Sequence, residues 1–242
     1  MEIVEYQKMA RLEGSLWWYR ALHEWVLSKL ESVADLTDKI VLDSGCGSGG
    51  LLRVLDQQYE NVNFLGLDFN SVALNLAREK AKVQLIRGSV NQVPLSSDAV
   101  DLVLSIDVLY HNKVDEQSAL LEFYRCLKAG GRILVHVPAY RWLYSYHDRQ
   151  VHTRTRYSAS QLRRAMTQAG FEDIITGYRL AVLLPLLIAK RTLSRRTQSD
   201  VDAIPNVLDR IFYETARLER RLADKGLVIP FGSSVWAIAR KT

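Results

Sequence analysis

A strand that runs straight into a cluster of glycines constrains this 242-residue chain more than any other feature. Residues 41–50 read VLDSGCGSGG: an apolar run, a glycine-rich turn and the start of a helix. Glycine accepts positive φ and lets a ligand approach the backbone closely, so the turn is either a binding loop or a tight corner. Asp68 decides between them. It ends the next apolar run, NFLGLD, about 20 residues further on, where a carboxylate can accept hydrogen bonds from both hydroxyls of a ribose. Loop and acid together specify a nucleoside-containing ligand. The string GCGSGG also satisfies the G-x-G-x-x-G of dinucleotide binding, but three features argue for a different nucleoside. Asp43 precedes the first glycine, where it would repel a pyrophosphate and attract an ammonium group. The loop follows a helical prelude of some 35 residues, and the second half lacks the mirrored βαβαβ unit of a dinucleotide fold. An adenosine carrying a cationic amino-acid tail fits better, and a nicotinamide dehydrogenase is the weaker alternative.

The rest of the chain reads as a frame for that loop. Apolar residues at helical spacing (Leu12, Leu16, Tyr19, Leu22, Val26, Leu30) predict one or two helices before any strand. Apolar or β-branched runs then alternate with helical patterns: KIVLD, a helix from Gly50, NFLGLD, a helix from Ser71, VQLIR, a turn at Pro94, VDLVLS, a helix from Asp115, and RILVHVP. The alternation predicts βαβ units, and strands apolar along their whole length suit a parallel sheet covered on both faces. After Pro138 a polar, aromatic loop leads to a helix over residues 158–169 ended by Gly170, and then to a strand, FEDIITGY. An apolar and basic insertion (180 to about 204), a helix from Val207 to Lys225 ended by Gly226, and a last strand, SSVWAIAR, complete the chain. The two final strands have room to pair antiparallel around the insertion, which would cap the carboxyl edge of the sheet. The expected organisation is one domain over 1–242: a helical prelude or lid (1–36), a cofactor-binding core (37–180), a cap insertion (180–226) and the last strand (227–242).

Composition enters as a set of exclusions. Two cysteines, Cys46 and Cys126, without partners at metal-ligand spacing, give no disulfide framework and no metal site. The start, MEIVEYQKMARLEGS, has the pattern of neither a signal nor a transit peptide, so a soluble, cytoplasmic protein is expected. The longest apolar run, residues 180–189, is half of what a bilayer span needs and contains Pro185. A net charge of +5, with arginines clustered at 149–164 and 190–196, leaves two readings: solvated faces, or an anionic or membrane-surface partner. The basic and aromatic residues form no RNA-binding signature, so no nucleic-acid partner is expected.

These segments resemble class I S-adenosylmethionine-dependent methyltransferases, specifically the group related to the ubiquinone/menaquinone and "type 11/12" enzymes. VLDSGCGSG resembles their first motif, FLGLDFN the second, RGSVNQVPLSSDAVDLVLSIDVLYH the third and fourth, and LKAGGRILVHVP the fifth-strand segment. The resemblance implies a doubly wound, Rossmann-like α/β fold with a seven-stranded, mostly parallel sheet of order 3-2-1-4-5-7-6, strand seven antiparallel. It implies S-adenosyl-L-methionine as cofactor and S-adenosyl-L-homocysteine as its product. Carried over residue by residue, Asp43, Ser44, Gly45, Cys46 and Gly47 form the cofactor loop, with Gly45 and Gly47 under the methionine moiety. Asp68 holds the ribose, Phe69 flanks the adenine with Asn70 beside it, and Gly88, Ser89 and Val90 lie at the adenine edge. Ile106 and Asp107 border the methionine tail and the transferred methyl. Many relatives carry Asp where this chain has Ser89, so adenine recognition is expected to lean on backbone groups and on Phe69. Cys46 is read as a small loop residue. The prelude EGSLWWYR resembles an E-x-x-H-W-W-[FY]-R segment, with Leu16 replacing His. Trp18, Tyr19 and Arg20 are expected to close the site, with Arg20 on the methionine carboxylate, although a Trp pair also suits plain core packing.

The acceptor side is less determined. An in-line displacement at a sulfonium needs alignment, a dry site and sometimes a base. Candidates cluster in the loop after the fifth strand: His147 and His152 as bases or as pins of the loop, and Tyr140, Trp142, Tyr146, Arg156 and Tyr157 toward the acceptor. The loop resembles the "H-D … H-x-R-R-Y" of the same group, with an extra residue between His152 and Arg156. Tyr19 and His111 are also assigned to the acceptor side. The insertion LAVLLPLLIAKRTLSRR reads as a helical cap, an apolar acceptor pocket or a membrane-surface segment. The implied activity is methyl transfer to an O or N atom of a small molecule: a natural product, glycan or lipid-like acceptor. The alternative is a methyltransferase fold that uses the bound sulfonium without transferring the methyl.

Overall fold

The computed structural model describes residues 10–33, 35–193 and 204–242. The reading of the first nine residues and the Arg195/Arg196 end of the insertion therefore lie outside the described residues. In chain order the elements are α1 (Trp17–Val33), β1 (Ile40–Ser44), α2 (Gly50–Gln58), β2 (Asn63–Asp68), α3 (Ser71–Arg78), β3 (Gln84–Arg87), β4 (Val100–Ile106) and α4 (Glu116–Cys126). There follow β5 (Leu127–Pro138), a 3-10 turn (Arg141–Leu143), α5 (Tyr146–Gln150), α6 (Ala159–Gln168), β6 (Glu172–Arg179), α7 (Leu184–Leu193), α8 (Asn206–Asp224) and β7 (Ser234–Arg240).

The seven strands form one sheet of order β3-β2-β1-β4-β5-β7-β6. β1 through β5 pair in parallel, while β7 runs antiparallel between β5 and β6. This is the order that the resemblance implies, and the antiparallel pairing of the last two strands is as expected. Alternation along the strands divides the core. Val103, Ile133 and Val135 face one way, toward Leu120 and Phe123 of α4 and Leu162 and Met166 of α6. Leu102, Leu104 and Leu134 face the other way, toward Val26 and Leu30 of α1 and Leu52 and Leu55 of α2. Each fully buried leucine of this kind contributes about 1.5–3 kcal/mol relative to an exposed one.

Helix starts follow local chemistry. The Asn70 side chain accepts from the Val72 and Ala73 amides at 2.8 and 3.4 Å. Asp115 accepts from the Ser118 amide at 2.8 Å, and Ser158 and Gln161 form a reciprocal capping box. α1 starts differently, because its first amide, Trp17 N–H, donates to Asp209 Oδ1 of α8 at 2.7 Å. One departure from the sequence pattern concerns β5, which begins at Leu127, five residues before the apolar run that signals it, directly on the end of α4.

Candidate functional site

β1 delivers the chain to the glycine turn, which hangs from the end of β2. The Gly45 and Cys46 amides both donate to the Leu67 carbonyl, at 2.7 and 2.9 Å. Gly45 has φ +83°, and a Cβ there would lie 2.5 Å from Val108 Cγ2. Gly47 has φ +54°, and a Cβ there would meet nothing within 4 Å; its backbone faces open space. Asp68 stitches the turn to β2, accepting from the Gly47 amide at 3.0 Å and from the Asn70 amide at 2.8 Å. Burial nevertheless raises its pKa against the lowering effect of those amides. Asp43 lies beside it, almost wholly buried. Burial and the charge of Asp68 push the Asp43 carboxyl up to about 7. Two adjacent buried acids are costly alone and are relieved by a cation. The Cys46 thiol is pushed far up by burial first and then by the Asp43 and Asp68 charges, so it is no nucleophile at neutral pH.

The prelude forms one wall. Glu13 is buried and accepts from Ser48 Oγ at 2.7 Å, and Lys80 pairs with its other oxygen. This holds the segment before α1 against the glycine turn. Behind the turn, Asp107 follows β4 with φ +58°, an uncommon conformation for a residue with a side chain. Its Oδ1 lies 3.0 Å from Nδ1 of His136, which is fully buried. His136 Nε2 in turn faces Arg179 Nη1 at 3.4 Å. A guanidinium only donates, so Nε2 accepts, Nδ1 carries the proton, and the neutral imidazole donates to Asp107. Burial lowers the pKa of both partners, that of Arg179 to about 10, which still leaves the guanidinium charged at neutral pH. Arg179 also lies 5.0 Å from the centre of the Trp25 ring.

The loops after β4 and β5 are zipped together. The Asn112 amide donates to the His152 carbonyl at 2.9 Å, and the Arg154 amide to the Tyr110 carbonyl at 2.7 Å. His111 Nδ1 lies 3.0 Å from the Val151 carbonyl, and burial lowers its pKa; this describes a neutral ring with the proton on Nδ1. Within the β5 loop, Arg156 holds Asp148 with Nε and Nη2 at 2.8 and 3.1 Å and reaches the Ala139 carbonyl at 3.0 Å. Both residues are buried. Glu219 of α8 accepts from the Leu180 and Val182 amides, which anchors the cap to the end of β6.

One cavity of about 390 Å³ runs through these parts. At one end it meets Asp43, Gly45, Cys46, Gly47 and Asp68; at the middle, Ile106, Asp107, Tyr110 and His111. α1 contributes Trp17, Trp18 and Tyr19, the β5 loop His147 and Arg156, and the cap an apolar wall of Leu180, Leu183, Leu186, Leu187, Ile204 and Phe212. The structure thus gathers twelve of the residues singled out from sequence: Asp43, Gly45, Cys46, Gly47, Asp68, Ile106, Asp107, Trp18, Tyr19, His111, His147 and Arg156.

Others stand elsewhere. Arg20 does not line the cavity: it pairs with Asp209 at 3.5 Å and stacks on Tyr213 at 3.9 Å, drawn to α8. His152 does not line the cavity; it sits at φ +57° with its carbonyl tied to Asn112. Tyr157 is buried, its hydroxyl donating to the Leu109 carbonyl at 3.2 Å. Tyr140 stacks between Trp142 and Tyr178, Trp142 is 62% exposed, and Tyr146 lies under Arg149, so none of these three lines the cavity. Ser44 Oγ donates to the Leu104 carbonyl at 2.8 Å inside the sheet. Phe69, Asn70, Gly88, Ser89 and Val90 stay at the paired ends of β2 and β3, beside Asp68 and outside the cavity lining. Arg156 does line the cavity, but its fork is spent on Asp148. Residues missed from sequence are Tyr110, His23 and the His136–Arg179 pair. His23 lines the cavity, and burial and Arg53 lower its pKa to about 4. The sequence signal for His136 was a polar residue inside an apolar strand, RILVHVP.

Residues 41–131 match the family model for a methyltransferase domain. A ubiquinone/menaquinone biosynthesis C-methyltransferase from Campylobacter jejuni is 35% identical over 104 residues, 40% of this chain and 44% of that protein. A fatty-acid O-methyltransferase from Mycolicibacterium smegmatis is 25% identical over 186 residues, 74% of this chain and 57% of that protein. The matched stretches thus span about half the length of these relatives. In structure, a methyltransferase from Thermotoga maritima described as SAM-dependent superposes with a TM-score of 0.63 over 99% of this chain and 96% of that one, at 18% identity, which is a likeness of fold. The glycine turn and Asp68 thus lie within the segment that is similar to a methyltransferase domain, and the whole sheet shares the fold of the Thermotoga maritima protein.

Proposed function

We propose that the protein transfers a methyl group from S-adenosylmethionine to an O or N atom of a small acceptor with a substantial apolar body. One observation carries the reading: a single cavity joins two buried carboxylates at the glycine turn to an apolar wall under the cap. The cofactor fits the first end. The Asp43 carboxylate accepts no hydrogen bond among the described residues and faces the cavity, so it suits the ammonium of the methionine tail and repels a pyrophosphate. The open face of Gly47 admits a ligand against the backbone. Asp68 would take the ribose hydroxyls, and Phe69 and Ser89, at the neighbouring strand ends, would meet the adenine. When bound, S-adenosylmethionine supplies a methyl group on a positively charged sulfur that leaves as a neutral thioether.

The chain's own residues align and dry that site. Trp17 and Trp18 wall the middle of the cavity against water, and His136 fixes the rotamer of Asp107 at its edge. Of the two histidines read from the sequence as bases, His147 borders the cavity, and His111 joins it in place of His152. His111 presents a neutral imidazole whose Nδ1 proton is committed to Val151, so Nε2 is available to accept a proton from an acceptor hydroxyl or amine. The leucines of the cap suit an apolar acceptor, in keeping with the fatty-acid enzyme among the relatives. The test is formation of S-adenosylhomocysteine on incubation with S-adenosylmethionine and a panel of apolar alcohols, acids and amines. Turnover with a methylated product supports the reading; cofactor binding with no turnover, or conversion of a panel member without its methylation, contradicts it.

A further inference from the structure

The cap helix α8 carries a second apolar stripe, turned to solvent, besides the face that packs on α1. A surface helix ordinarily turns its apolar stripe inward and its charges outward. The inward face of α8 mixes packing with ion pairs: Phe212, Tyr213 and Ala216 meet Trp17, Trp18 and Ala21, while Asp209 pairs with Arg20 at 3.5 Å, Asp224 with Lys29 at 3.4 Å, and Arg220 with Glu24 at 3.9 Å, these partners all on α1. The outward face carries Val207, Leu208, Ile211, Leu218 and Leu222, each between 42% and 71% exposed. At 100° per residue these five fall within one sector of about 100°. The apolar surface continues past the helix end at Leu227 and Val228, 53% and 81% exposed.

We propose that this stripe docks on the surface of an anionic lipid bilayer. The charge beside it selects the occupant. Arg210, Arg217, Arg221 and Lys225 edge the stripe, against one acid, Glu214, which pairs with Arg217 at 3.6 Å. An apolar stripe edged by cations is the pattern of a helix lying in a membrane interface, its apolar side at the acyl boundary and its cations at anionic headgroups. No helix among the described residues is long and apolar enough to cross a membrane, so the contact is peripheral. A second copy on the same stripe would set two cationic rows side by side, which is unfavourable. The cavity reaches the same cap: Leu186 of α7 both lines it and is 51% exposed. The proposal stands on α8 alone and is independent of the reaction proposed above.

The test is co-sedimentation of the full chain with vesicles of phosphatidylcholine alone and of phosphatidylcholine with phosphatidylglycerol, at low and high salt. The protein is expected to pellet with the anionic vesicles at least tenfold more strongly, and to be released by salt. Ile211→Glu with Leu218→Glu is expected to abolish pelleting while melting temperature and S-adenosylhomocysteine affinity stay unchanged. Arg210→Ala with Arg221→Ala weakens anionic-vesicle binding roughly thirtyfold, the combined pull of two cations on such a surface. No pelleting with either vesicle overturns the proposal, as does equal pelleting of the Ile211→Glu, Leu218→Glu variant. A stripe-dependent dimer without vesicle binding overturns it in favour of a second copy.

Discussion

The two ends of the cavity are built on different principles. The glycine-turn end is local: Asp43, Gly47 and Asp68 lie within one βαβ unit, and its two acids are buried side by side under charge repulsion. The cap end is assembled from pairs distant in sequence and largely satisfied, such as Trp17 with Asp209, 192 residues apart, and Leu180 with Glu219. Asp68 is held by two backbone amides while the Asp43 carboxylate is left without a partner among the described residues, as the proposed cation site requires, whereas a wall that only shapes a pocket can satisfy every group. The difference predicts that mutations at the two ends separate affinity from stability.

The largest effect is expected in the β5 loop, which borders the cap end through Arg191 on the Leu143 carbonyl. Asp148→Ala leaves Arg156 buried without its carboxylate, a loss of about 3–5 kcal/mol, roughly 10 °C in melting temperature for a chain of this size. Scanning calorimetry measures it, and a change below about 1 kcal/mol would show that the pair is not the pin of the β5 loop. The cofactor end should do the opposite. Asp43→Asn is expected to lower S-adenosylhomocysteine affinity roughly thirty- to hundredfold, about 2–3 kcal/mol for a lost charge-assisted contact, while raising the stability of the ligand-free protein at pH 8. Loss of both affinity and stability would collapse the distinction between the two ends.

A pH titration sharpens it further. The folded, ligand-free Asp43 titrates near 7, above its ordinary value of 3.8, so the native state holds a proton that the unfolded state has released. Stability from this group is therefore present below about pH 4 and is lost as pH rises through 7. Ligand affinity runs the other way, because the ammonium needs the carboxylate. S-adenosylhomocysteine binding should weaken as pH falls below 7, by up to about tenfold per unit, and Asn at position 43 should flatten the profile. The smallest effect belongs to Arg20→Ala. A half-exposed pair with Asp209 is worth at most about 1 kcal/mol, and cofactor affinity should not move; a tenfold loss of affinity would restore Arg20 to the site.

What the sequence made legible follows the same division. The strand order, the turn and its acid could be read because glycine, aspartate and a strand end act within one short segment. The cap end could not: that Arg20 turns to α8 depends on Asp209, and that Arg156 is consumed by Asp148 depends on the path of a loop, neither of which residue spacing encodes. His136 lies between these cases. Its place in an apolar strand marked it as anomalous, but its partners, Asp107 and Arg179, come from β4 and β6 and meet only in the folded sheet.

The most direct measurement is a calorimetric titration of the full chain, in parallel, with S-adenosylmethionine, S-adenosylhomocysteine and NADH. Both sulfur ligands are expected to bind, more weakly in Asp43→Asn, and NADH to give no heat. NADH binding without the others, or sulfur-ligand binding indifferent to Asp43, would contradict it.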